Sequence, residues 1–286
     1  MSQRSVIIIG DKGVGKTTLM YKFLEKDEVT KPTLAMDYCF GRKTSKQMTK
    51  DLIHVWEIGH LAPSLISAAL AGAFSIHPME LTTLIIMINL STPEKLWYTL
   101  EECLTAAKNA ITMICDSNTI EALIEKRKKA STAGYAKFID PFPLNLSIVG
   151  GQYDKIKNLE LSTKELIGKT LRAISFHLKA DLQYYSSKDN TLVRKMRESM
   201  SHYGFDSSSI KDSQLDYKNA LIIPASSADF SAIEFQNYSL DHPELFFDTI
   251  KSIYLDQFAE KEIETNLEAM MNWNSDKNIV VIADPH

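Results

Sequence analysis

The sequence predicts a doubly wound α/β domain: a six-stranded, mostly parallel sheet with one antiparallel edge strand, and helices on both faces. Three observations carry this expectation. Val6–Ile9 is an unbroken β-branched run, the pattern of a strand buried on both faces of a parallel sheet. The residues that follow, GDKGVGKTT from Gly10 to Thr18, satisfy GxxxxGK[ST] and lead into helical spacing. Strand-like and helix-like segments then alternate as far as about residue 258.

The first helix places Leu19, Met20, Phe23 and Leu24 on one stripe, opposed by Lys22, Glu25 and Lys26. Two strands come next, Leu34–Gly41 and Asp51–Ile58, joined across the polar run KTSKQMTK as an edge hairpin. Pro63–Phe74 reads as a helix and Leu81–Leu90 as a buried strand. Ser91-Thr92-Pro93-Glu94 reads as a capping box with proline in the first turn, opening a helix to about Ile114. Leu144–Val149 and Ala220–Pro224 supply the fifth and sixth strands. Helical insertions are expected near 116–134, a surface excursion containing EKRKKASTAG, and over 162–204, as two helices broken near Ser186–Asn190. Asp241-His242-Pro243-Glu244 opens the last helix, with Phe246, Phe247, Ile250, Ile253, Tyr254 and Phe258 as its apolar face. The division is therefore a P-loop domain over 1–258 and an extension over 259–286, helical from Glu260 to Trp273 with a strand-like tail from Asn278 to Ala283.

With 286 residues, 44% of them hydrophobic, the chain can bury a large core. A formal charge of −4 gives no bulk attraction to nucleic acid or anionic lipid, and the run Glu125–Lys129 reads as a solvated helix face. Cys39, Cys103 and Cys115 form no CxxC pair and are expected as reduced, largely buried thiols. No apolar run reaches membrane length, and neither a signal peptide nor a lipidation box is expected. The seven histidines have no zinc-ligand spacing, and no GxSxG elbow or Cys/His arrangement stands out. These features predict a soluble intracellular protein.

The loop Gly10, Asp11, Lys12, Gly13, Val14, Gly15, Lys16, Thr17, Thr18 is expected to bind phosphate. Its glycines let backbone N–H groups turn inward, Lys16 reaches the β- and γ-phosphates, and Thr17 offers its hydroxyl to Mg²⁺. Phosphoryl transfer also needs a second acid and a group that positions water. Small GTPases supply these from a DxxGQ segment. Here the segment is Trp56-Glu57-Ile58-Gly59-His60, with tryptophan at the acid's position and histidine at the glutamine's. Glu57 is one place off, and strand alternation would point it to the opposite side, so it reads as a displaced metal acid or as a structural contact. Thr33 sits where a switch threonine would complete the Mg²⁺ shell, or it simply leads into the edge strand. Of the base-reading motif NKxD, Gly151-Gln152-Tyr153-Asp154 keeps only Asp154, and Ser226-Ser227-Ala228 is similar to the following Ser-Ala-Lys loop.

Several segments together carry a family resemblance. Gly10–Thr18, Lys31-Pro32-Thr33-Leu34-Ala35 with Tyr38 and Phe40-Gly41-Arg42, Trp56-Glu57-Ile58-Gly59, and Asn89-Leu90-Ser91 with Pro93 and Leu96-Trp97 resemble the dynein light intermediate chains, nearest to the ciliary, cytoplasmic dynein 2 type. The resemblance implies a small-GTPase-like fold that serves as a non-motor subunit. Its partners would be the dynein heavy-chain tail and, indirectly, other dynein subunits and intraflagellar transport complexes, with no nucleic acid and no membrane insertion. It also implies a place in cytoplasm and cilium, and a pocket for GDP or GTP with Mg²⁺, ahead of ATP, or an empty one. The light intermediate chains of cytoplasmic dynein 1 carry a long C-terminal extension, and the shortness of residues 259–286 favours the ciliary type.

Overall fold

The computed structural model describes residues 2–44, 50–129, 136–207, 213–226 and 242–258. Seven strands form one sheet: β1 (Gln3–Gly10), β2 (Met36–Thr44), β3 (Lys50–Ile58), β4 (Thr82–Asn89), β5 (Asn145–Gly151), β6 (Asp181–Tyr184) and β7 (Ile222–Ile223). Their order is β2-β3-β1-β4-β5-β6-β7. The five central strands run parallel, and β2 and β7 close the two edges antiparallel.

The helices are α1 (Lys16–Phe23), α2 (Pro63–Ile76), α3 (Pro93–Ile114), α4 (Ser117–Lys129), the single turn α5 (Tyr153–Ile156), α6 (Leu161–Leu178), α7 (Asn190–Phe205) and α8 (246–258). Strand alternation decides which helix each strand residue meets. Ile7, Ile9, Trp56, Ile86 and Ile88 face α2, α3, α6 and α8 through Leu70, Trp97, Leu171 and Ile250. Val6, Ile8, Val55, Met87 and Val149 face α1 and α7 through Leu19, Met20, Met196 and Met200. No helix among the described residues is long and apolar enough to cross a membrane.

Four expectations are corrected. The sheet has seven strands, not six, because residues 162–204 fold as α6-β6-α7 with a strand inside the sheet. β6 is only four residues long and lies between two amphipathic helices, whose period dominates any window wide enough to detect it. The expected sixth strand at Ala220–Pro224 shrinks to the two-residue β7, a second antiparallel edge. At the start of α3, proline does occupy the first turn. However, Thr92 is the N-cap and makes no side-chain cap bond, while Ser91 Oγ donates instead to Asn89 Oδ1 at 2.8 Å. Within Glu125–Lys129, Arg127 is not a solvated face residue. Its guanidinium donates to Asn145 Oδ1 (2.7 Å) and to the Lys179 carbonyl (2.9 Å), fastening α4 to β5 and to the turn after α6. The expected helix over Glu260–Trp273 and the strand-like tail lie outside the described residues.

Polar contacts join β6 to α7, Tyr203 and Ser199 of the helix each donating to the strand. The Tyr203 hydroxyl donates to Asp181 Oδ2 at 2.8 Å and sits 3.2 Å from Ser147 Oγ. Burial and the Asp181 carboxylate push the phenol well above its ordinary pKa, so it stays a donor. Tyr203→Phe is expected to cost about 1–2 kcal/mol in denaturant unfolding, because it leaves a partly buried carboxylate oxygen short of a partner.

Candidate functional site

The sheet delivers the phosphate loop at the C-terminal end of β1, where ligands of open α/β sheets bind. Gly10 has φ 136° and a Cβ there would lie 1.9 Å from the Met87 carbonyl oxygen, so only glycine lets β1 turn beside β4. Gly15 is the N-cap of α1 in the left-handed region, with no side-chain cap and no acid in the first turn. The first N–H groups of α1 and their dipole are left for an anion.

Lys16 is 4% exposed and its ammonium donates to the carbonyls of Gly10 (2.9 Å) and Asp11 (2.8 Å). Burial lowers its pKa, with the nearby Glu57 carboxylate acting in the opposite direction. The Asp11 side chain turns away from the loop's interior, accepting from Thr99 Oγ1 (2.9 Å) and the Asn89 N–H (2.7 Å). Its carboxylate thus clamps the loop to β4 and α3 and is kept off the phosphate side.

A cleft of about 190 Å³ opens over this loop. Lys12, Gly13, Gly15, Lys16, Thr17 and Thr18 line one side, and Thr30–Thr33, Glu57 and Gly59 line the other. Gly10 is reserved for the turn, and Val14 is buried in the core. Gly59 allows the closing segment to approach: a Cβ on it would fall 2.1 Å from the Thr33 carbonyl oxygen. A larger cleft of about 570 Å³, lined by residues of α3, α4 and α8 such as Glu101, Lys128 and Phe247, contains none of the phosphate-loop residues.

Glu57 does not point away from the loop. Trp56 pairs with Ile7 and belongs to the α2 face, where its indole packs over Gly72. Glu57 pairs with Ile8, whose side chain faces α1. Alternation does put the two residues on opposite faces, but the loop's face is that of Glu57. Its Oε1 accepts from Thr17 Oγ1 at 2.7 Å. Glu57 is 2% exposed, and burial raises its pKa against the Thr17 and Thr33 hydroxyls and Lys16, which favour the anion. Its Oε2 is buried and makes no hydrogen bond among the described residues. His60 lies at the surface with Nδ1 2.9 Å from the Leu34 carbonyl oxygen.

At the far end of the loop Asp154 opens α5. Its carboxylate accepts from Ser186 Oγ (2.7 Å) and Lys188 Nζ (2.8 Å), and these two donors hold its pKa low. The Ser-Ala-Lys-like loop is therefore Ser186-Ser187-Lys188, directly after β6, and not the segment beginning at Ser226. Ser226 lines a separate cleft with Arg4 and Tyr203, and Ser227 and Ala228 fall outside the described residues. This loop is placed by β6, a strand with no periodicity of its own in the sequence. Gln152, standing where NKxD has lysine, instead donates through Nε2 to the Gly13 carbonyl (3.0 Å) and accepts from Ser91 Oγ (3.2 Å).

The site thus combines an anion cradle, a buried cation, a hydroxyl, a buried carboxylate and an aspartate positioned by a serine-lysine loop. Such groups could hold a phosphorylated ligand together with a hard cation. No cluster of three His, Cys, Asp or Glu residues that could hold a metal by itself occurs among the described residues.

No protein-family model matches the chain. Over 239 residues it is 33% identical to cytoplasmic dynein 2 light intermediate chain 1 of Danio rerio, covering 81% of this chain and 66% of that one. Over 244 residues it is 32% identical to the Homo sapiens protein of the same name, covering 82% and 68%. The chain therefore spans about two thirds of the length of these relatives. Among solved structures, the conserved domain of a dynein light intermediate chain superposes with a TM-score of 0.66 over 90% of this chain and 92% of that one, at 13% identity. That likeness establishes the fold, a small-GTPase-like P-loop domain.

Proposed function

We propose, because this chain belongs to the family of cytoplasmic dynein 2 light intermediate chains, that it serves as a non-catalytic subunit of the ciliary dynein 2 motor. In this reading it binds the heavy-chain tail, supports retrograde intraflagellar transport, and resides in cytoplasm and cilium with the cytoskeletal motor. The observation that carries the reading is identity of about one third maintained over some four fifths of the chain. The absence of any acid at position 56 and the surface position of His60 support a scaffold role, since neither water activation nor fast phosphoryl transfer has its usual residues.

The cleft would hold GDP or GTP in preference to ATP. Lys16 and the N–H groups opening α1 would face the phosphates, and Asp154 the base. Thr17 and Thr33 would offer their hydroxyls to Mg²⁺, which supplies charge neutralisation to the phosphates when bound. A ligand held only by the folded state would stabilise the subunit by mass action.

The Thr17–Glu57 contact favours a second reading, a GTPase-type switch. Capture from ciliated cells, together with single-turnover GTP hydrolysis in Mg²⁺, tests both. The scaffold reading expects recovery of a dynein heavy chain and hydrolysis no faster than background. Turnover at ordinary small-GTPase rates, abolished by Lys16→Ala, would replace it with the switch; failure to recover a heavy chain would overturn the subunit role.

A further inference from the structure

We infer that Glu57 is the acid of a divalent-cation site in this cleft, entered from a strand position one residue later than the usual aspartate. The inference rests on the nucleotide reading and assigns its metal a carboxylate.

Strand parity comes first. The position of the usual acid, counted back from Gly59, is Trp56, and that side chain is packed under α2. Counting from the glycine misleads because the loop after β3 can change length, whereas the pairing of β3 with β1 cannot shift by one residue without turning its core face outward. The register Ile8↔Glu57 places this carboxylate on the α1 side.

The carboxylate's partners come next. Oε1 accepts a hydrogen bond from the Thr17 hydroxyl, whose oxygen lone pairs are not used in that contact. Oε2 is buried and makes no hydrogen bond among the described residues, while the Thr33 hydroxyl is near enough to favour the anion. Lys16 donates to the Gly10 and Asp11 carbonyls and makes no hydrogen bond to Glu57, although its charge favours the anion. An acid this deeply buried with one oxygen unpaired is costly unless a cation or its water completes it. A carboxylate, hydroxyls and ligand phosphates are the oxygen set that Mg²⁺ accepts, commonly with several of its own waters retained. A purely structural role, anchoring Thr17, would use Oε1 and would leave Oε2 unexplained.

The test uses the full chain, with GDP as probe. Its affinity is measured by calorimetry in Mg²⁺ and in chelator, and the Mn²⁺–GDP complex is followed by electron paramagnetic resonance. Wild type is expected to bind GDP about tenfold or more tightly with Mg²⁺, the scale of one charge-assisted contact. Glu57→Gln is expected to keep the chelator affinity, lose most of the Mg²⁺ effect and lose the protein-bound Mn²⁺ signal, whereas Trp56→Phe retains both. Retention of the Mg²⁺ effect in Glu57→Gln would overturn the inference. So would GDP binding to wild type that is indifferent to Mg²⁺ and shows no bound Mn²⁺, and this measurement needs no variant to fold. Those outcomes leave the nucleotide reading standing; absence of GDP binding in either buffer would remove both.

Discussion

Trp97→Ala is expected to destabilise the chain by about 3–5 kcal/mol in urea unfolding, the range for losing a fully buried large aromatic side chain. Trp97 is 0% exposed on α3 and packs against α8, with ring centroids 5.0 Å from Phe247 and 6.3 Å from Tyr254. Beside it the Tyr254 hydroxyl donates to the Pro93 carbonyl at 2.6 Å, and Lys251 pairs with Glu101 at 2.7 Å. The indole is thus the apolar centre of the α3–α8 joint, and alanine would leave a cavity that two anchored helices cannot easily collapse. Its Nε1 is buried without a hydrogen bond among the described residues, so Trp97→Phe should cost much less: it sacrifices area without orphaning a partner. A loss under about 1 kcal/mol for the alanine variant would mean that α8 contributes little to stability.

Lys16→Ala is expected to weaken GDP binding by about tenfold to a hundredfold, the cost of one charged hydrogen-bonding partner at a desolvated phosphate. Stability without ligand should change far less than for Trp97→Ala. The substitution removes a buried ammonium whose desolvation already lowers its pKa, at the expense of two carbonyl contacts. Thermal unfolding with and without GDP separates the two effects, because a ligand that no longer binds no longer raises the midpoint. A GDP-induced shift undiminished in Lys16→Ala would show that the phosphate loop is not where the nucleotide sits.

Much of the molecule is legible in its residues. Val6–Ile9, the loop glycines and Lys16 define the central strand and the anion cradle, because a buried parallel strand and a backbone N–H nest each demand particular residue types. The amphipathic stripes of α1 and α8 announce which sides they bury. Less legible were features that depend on partners distant in sequence. β6 has four residues and no signal of its own; it is a strand because β5 and β7 flank it. With β6 hidden, Ser186 and Lys188 could not be recognised as the donors that hold Asp154. Arg127 looked solvated because its partners, Asn145 and the Lys179 carbonyl, lie 18 and 52 residues away.

By itself the sequence determined that this protein carries the GxxxxGK[ST] pattern between a strand and a helix, lacks an acid at position 56, and resembles the dynein light intermediate chains. Only the tertiary structure decided which face of β3 looks onto that site. Parity along a strand fixes that neighbours point oppositely, but the face that meets the loop is set by pairing with β1 and by α1 covering one side of the sheet. That pairing puts Trp56 under α2 and brings Glu57 to Thr17, so the carboxylate missing from its expected position stands one residue further along the strand.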